Sequence, residues 1–98
     1  MSTQHTYQRP LFPLGRVVAT PGALAALSKV GQSPWFFLLR HSRGDWGDMD
    51  PQDLQENERA LQGGGRLFSA YTLTSCIRLW VITEADRSCT TALLPLEY

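Results

Sequence analysis

The last third of the chain constrains the fold most. After three glycines at 63–65 the sequence runs RLFSAYTL, TSC, IRLWVITE, ADRS and CTTALLP, in which β-branched and aromatic stretches alternate with short polar turns. Strands joined by such short connections pair with one another, so the spacing predicts an antiparallel meander. Centring the first turn on Ser75 and the second between Asp86 and Arg87 puts Leu67, Tyr71, Leu73, Ile77, Leu79, Val81 and Leu94 on one face. That face is expected to meet the helices. The opposite face then carries Phe68, Trp80, Ile82 and Leu93, with Arg66, Arg78, Thr72, Thr91 and Glu84 around them. In this register Arg66 stands across from Glu84, which predicts a cross-strand ion pair, and Thr72 stands across from Arg78.

Upstream, the same start signal occurs at Thr20-Pro21, Ser33-Pro34 and Asp50-Pro51. A side-chain oxygen can accept one of the free amides of a first turn, and the proline that follows has no amide to satisfy. RVVA at 16–19 reads as a short strand, and TPGALAALSKVG as a helix ending at Gly31. WFFLLRHSRG reads as a second helix closed by Gly44; the apolar run Phe36 to Leu39 also fits a buried strand, and capping favours the helix. In the third, Asp53 stands where a capping-box acid reaches back to the cap amide, Met49 and Leu54 occupy the staple positions, and Gly63 begins the stop. Leu54, Ala60 and Leu61 offer it only a narrow apolar stripe, so this helix is expected to lie on the surface.

The first dozen residues are polar and without period. Residues 1–14 are therefore expected to form a mobile N-terminal arm and residues 15–98 a single α+β domain. Its expected architecture is a short N-terminal strand and two to three helices packed on a three- to four-stranded antiparallel meander.

A chain of 98 residues accommodates one core, and 43% apolar residues suffice to build it. The formal net charge is zero but unevenly spread. Arg9, Arg16, Lys29, Arg40 and Arg43 precede any acid, and Asp45, Asp48, Asp50, Asp53, Glu56 and Glu58 then follow without a base. A zero total argues against non-specific binding to long nucleic acid, which draws on many phosphate contacts. No apolar run approaches the roughly 18 residues a membrane span needs, so a cytoplasmic protein without a membrane partner is expected. Cys76 and Cys89 have no metal-ligand spacing, and Asp45, Asp48 and Asp50 do not follow a calcium loop. The glycines at 63–65 lack the lysine and hydroxyl residue of a phosphate loop. No metal and no cofactor is expected.

The strings ATPGAL, RHSRGDWGD, NERAL, GGRLFSAYTL, RLWVITEADRS and TTALLP, with a terminal EY, together resemble a family of small uncharacterised bacterial proteins encoded on plasmids and integrated mobile elements. The resemblance spans residues 16–98 and departs at TSC, where a glycine-containing turn is expected, and at Leu96, where an acid is expected. It implies lineage and no particular activity. The layout of helices followed by a meander is also similar to small metal-independent ribonucleases and toxins of the barnase, colicin and RelE type.

RNA cleavage without metal needs a base, an acid and cations around the phosphate. His41, Glu84 and Arg87 are the candidate catalytic residues on that likeness. Arg43, Trp46, Arg66, Arg78 and Trp80 are the candidate residues for holding a substrate or partner. Each also has a structural role open to it: His41 near a helix end, Glu84 with Arg66 as a sheet-edge pair, Trp46 as a core plug, Arg87 in a turn. The expected partner is another protein or a second copy in a homodimer, bound through the acidic helix or the aromatic outer sheet face, with RNA as the alternative and an acidic inhibitor or nucleic-acid mimic as a third reading.

Overall fold

The computed structural model describes residues 9–98. In chain order it contains β1 (Arg16–Ala19), α1 (Pro21–Lys29), α2 (Pro34–Ser42), α3 (Pro51–Gly63), β2 (Leu67–Thr72), β3 (Arg78–Thr83), β4 (Cys89–Leu93) and a final 3-10 turn, Pro95–Glu97. The helices begin at the caps read from the sequence. Thr20 Oγ1 accepts from the Ala23 amide, Ser33 Oγ from Trp35 and Asp50 Oδ1 from Asp53. The run Phe36 to Leu39 is helical, with Phe37 and Leu38 buried and Phe36 and Leu39 exposed.

The sheet order is β1-β4-β3-β2. β2 pairs antiparallel with β3, placing Phe68 opposite Ile82 and Thr72 opposite Arg78, and β3 pairs antiparallel with β4, placing Trp80 opposite Leu93. β1 lies parallel to β4, with Val17 beside Thr90 and Ala19 beside Ala92. The sheet is therefore mixed, which corrects the expectation of an all-antiparallel one. The physical reason is the cap at Thr20. It turns the chain off the end of β1 straight into the helical layer, and β1 joins the sheet next to a strand whose direction the two hairpins have already set. This approach is close: Gly15 has φ 67°, and a Cβ there would stand 2.4 Å from the Arg87 carbonyl oxygen.

α1 and α2 cover one face. Ala23, Ala26, Leu27, Phe37 and Leu38 pack there against Tyr71, Leu73, Leu79, Val81 and Ala92. Ile77, expected on this face, is 39% exposed because it precedes β3 in the hairpin turn. A second buried cluster joins Phe12, Trp46, Ala60 and Leu67.

Residues 1–8 of the expected arm lie outside the described residues. Within residues 9–14 Phe12 is buried, stacks on Trp46 with centroids 6.2 Å apart, and is flanked by the Leu11 amide donating to the Ser42 carbonyl at 2.7 Å, while Pro10, Leu11 and Pro13 are exposed. α3 is wet on most sides, as its sequence implies, but the residues it buries are Asn57 and Ala60, not Leu54. No helix among the described residues is long and apolar enough to cross a membrane.

Candidate functional site

RHSRGDWGDMDP, residues 40–51, carries the densest chemistry in the chain, and nearly every group in it is committed to the fold. Arg40 Nε donates to Asp45 Oδ2 at 2.7 Å, and this pair holds the Asp45 carboxyl below its ordinary range. The Asp45 carbonyl accepts the Tyr71 hydroxyl at 2.6 Å. Asp48 Oδ2 accepts from Thr72, its carbonyl accepts from Arg78, and Asp50 caps α3. Trp46 is buried. Between them, the Trp46 carbonyl accepts from the Ala70 amide at 3.0 Å and the Asp48 amide donates to the Ala70 carbonyl at 2.6 Å. The loop thus runs along β2 as a single bridge and closes that edge of the sheet. Gly47 makes this possible, because at φ 77° a Cβ would meet the Ala70 carbonyl oxygen at 2.2 Å. One turn further, the Asn57 side chain donates to the Phe68 carbonyl and accepts its amide, imitating a neighbouring strand.

His41 sits at the centre of a sealed polar chain. Thr90 Oγ1 donates to the Leu14 carbonyl at 2.7 Å, so its oxygen takes the Thr83 hydroxyl at 2.7 Å, and Thr83 in turn accepts from His41 Nε2 at 2.9 Å. Following the donors this way assigns the proton to Nε2 and leaves Nδ1 to accept from Ser69. His41 has no exposed surface, and Phe12 and Trp46 stand edge-on to it at 5.3 and 5.5 Å. Burial and, secondly, the Arg87 guanidinium push its pKa down to about 3. The ring is neutral, fully paired and out of reach of solvent.

Glu84 does not meet it, and Arg87, near enough to weigh on the ring's charge, spends its hydrogen bonds elsewhere. Glu84 is exposed beside Arg66 and Tyr98 on the outer face, so the sheet itself stands between the two candidates for acid and base. Arg87 lies in the β3-β4 turn at φ 62° and donates to the carbonyls of Gly65 at 2.6 Å, Ala60 at 2.9 Å, Glu84 at 3.0 Å and Ala85 at 3.1 Å. Two of those carbonyls belong to the end of α3 and the glycine linker. Gly64 caps α3 through its own amide on the Ala60 carbonyl, and Arg87 adds the basic group that the last turn of the helix lacks.

Arg66 and Trp80, from the binding set, do come together. They line a groove of about 300 Å³ on the outer face. Phe68, Trp80 and Ile82 form its floor, Asp53, Glu56 and Asn57 on α3 form one wall, and Arg66 and Tyr98 form the other, with Met49 at the end. The rings are set edge to face: Phe68 to Trp80 at 5.0 Å and Trp80 to Tyr98 at 5.7 Å. The expected Arg66-Glu84 ion pair is not formed. Arg66 Nη1 donates to Tyr98 Oη at 2.9 Å and the guanidinium lies over the Tyr98 ring, a partner that offers an acceptor and a π-face where an exposed carboxylate offers a screened charge.

Of the remaining candidates, Arg43 caps α2 through its backbone and Arg78 spans to the Asp48 carbonyl, both away from this groove. Sequence reasoning passed over Tyr98 and Asn57. Asp53 and Glu56 carried a signal in their i, i+3 spacing, which puts both on one helical face, whereas nothing local to Tyr98 indicates that the Pro95–Glu97 turn returns it to the sheet.

The fold and the groove together describe a small α+β protein with a half-open aromatic groove on the outer sheet face and a sealed polar chain on the inner one. Comparison with known protein families, with curated proteins and with solved structures found no match to this chain.

Proposed function

We propose that this chain is a protein-interaction module and that its partner segment lies in the groove between α3 and the outer sheet face. The observation that carries this reading is the unsealed aromatic floor of Phe68 and Trp80, with Tyr98 68% exposed beside it and acidic side chains of α3 along one wall. The groove suits an apolar side chain next to a basic one. The apolar group meets Phe68, Trp80 and Ile82, and the basic group meets Asp53 and Glu56 on the α3 wall. The likeness of its sequence strings to proteins of plasmids and integrated mobile elements supports placing the module in the cytoplasm of a cell carrying such an element.

The ribonuclease reading draws no support from the geometry, because His41 is sealed and Glu84 lies across the sheet from it. The test is titration of the full chain with short peptides that place leucine or tryptophan beside lysine or arginine, read by amide chemical shifts. Shifts clustered at residues 53–57, 66–68, 80–82 and 98, weakened by Trp80→Ser and by Glu56→Lys, support the proposal. Shifts scattered elsewhere, or equal response to acidic peptides, overturn it.

A further inference from the structure

The two edges of the sheet are finished differently. At β2 the Trp46 to Asp48 loop and the Asn57 amide occupy the outward backbone groups of Ala70 and Phe68. At β1 the Arg16 amide bonds to the Ser88 carbonyl at 2.9 Å and the Thr20 amide to the Ala92 carbonyl at 3.0 Å. Strand alternation then turns the amides and carbonyls of Val17 and Ala19 away from β4, and among the described residues nothing pairs with them. RVVA contains no proline and no lysine, and Arg16 at its start is its one charge. Beside this edge α2 leaves Trp35 53% and Leu39 42% exposed, and with Val17, Pro10 and Pro13 they line an apolar depression of about 310 Å³.

We infer that a second copy of this chain covers this edge, with β1 pairing antiparallel to its counterpart about a two-fold axis at Val18. The sheet then runs continuously through both subunits. The strand is its own complement in this register. Val17 exchanges backbone bonds with Ala19 of the second copy and Ala19 with its Val17, so both sets of outward groups are satisfied at once. Arg16, the one charge in the strand, faces Thr20 rather than another cation. The two Arg16 residues stand roughly 13 Å apart along the strands, beyond a Debye length of about 8 Å. A zero net charge adds no overall repulsion, and apolar Trp35 and Leu39 are brought toward the seam. A second copy brings the same unpaired backbone groups in matching register, with no excess charge to oppose it and its own Trp35 and Leu39 to meet those already at the seam.

Sedimentation of the full chain over a concentration series, with amide hydrogen exchange alongside, tests the inference. The expected result is a monomer-dimer equilibrium in which the Val17 and Ala19 amides become protected as dimer forms, while Val18, already paired to β4, is protected throughout. Val17→Pro removes an outward amide and leaves the β4 pairing amides in place, and it is expected to weaken the dimer at least about tenfold. Trp35→Glu, which touches no backbone, is expected to weaken it too, and guards against a proline variant that fails to fold. Trp80→Ser, in the groove, leaves the dimer intact. A chain that stays monomeric at every concentration overturns the inference. So does a dimer that survives both edge variants, or one dissolved by Trp80→Ser.

Discussion

Neighbouring residues on one strand lead opposite lives in this sheet. Ser69 and Thr83 point inward, have no exposed surface and are hydrogen-bonded to His41. Phe68, one residue from Ser69, points outward into an open groove, and Glu84, one residue from Thr83, lies exposed on that same side. The inner face thus holds polar groups that are all paired, and the outer face holds aromatic groups that are not fully covered. Burial without a hydrogen-bond partner costs a polar group dearly, so the inner set serves stability. The outer rings incur no such penalty by remaining accessible, which leaves that face free for the partner proposed above.

Acid offers the strongest way to break this contrast. His41 is neutral in the folded chain down to about pH 3, whereas in the unfolded chain it takes a proton near 6.5. Above pH 6.5 neither state is charged and its contribution is complete. As pH falls from 6.5 toward 3 only the unfolded state binds the proton, so stability declines by up to about 1.4 kcal/mol per unit, on the order of 4–5 kcal/mol in all. Urea midpoints for the wild type are expected to fall over this range more steeply than those of His41→Gln, which can take the same two hydroxyl partners without titrating. Equal slopes would remove His41 from the account. Peptide binding in the groove, compared at pH 7 and pH 6 where the fold remains intact, is expected not to follow His41 at all.

A smaller effect separates the two hairpin turns. Both place a non-glycine residue in the left-handed region, Cys76 at φ 68° and Arg87 at φ 62°, with the same amide-to-carbonyl closure, Cys76 to Leu73 at 2.8 Å and Arg87 to Glu84 at 2.9 Å. Only Arg87 has a task that repays its strained backbone, since its guanidinium caps α3. Arg87→Gly is therefore expected to lower stability by about 1–2 kcal/mol, the loss of charged hydrogen bonds outweighing the relief at φ. Cys76→Gly is expected to raise it by about 0.5 kcal/mol, because an exposed thiol that holds nothing in place gives up only strain. Thermal melts of the two variants check both signs, and a shift in the same direction for both would show that backbone strain alone governs these turns.

Much of the fold was open to a reader of the sequence because its determinants are local. Thr20, Ser33 and Asp50 announce their helices by chemistry that acts over three residues. The turns centred at Ser75 and between Asp86 and Arg87 set the pairing of β2 with β3 and β3 with β4, and with it the side each residue faces. The candidate site was legible only where it followed from that alternation, as for Trp80 and Arg66. Tyr98 was not, because it reaches the groove through a turn after Pro95 that no period marks. The dense run from Arg40 to Pro51 invited a catalytic reading, and its groups prove to be bound to one another and to β2.

Alternation, capping and turn chemistry act between residues close in the chain, so the helices, the hairpins and the two faces of the meander can be derived from residue order. The parallel seat of β1 beside β4, the closing of the β2 edge by Trp46 to Asp48, the sealing of His41 and the reach of Arg87 to α3 join residues tens of positions apart. Such contacts depend on how whole elements share one core, and the free energy that selects them is spread over packing and paired polar groups rather than carried by any local pattern.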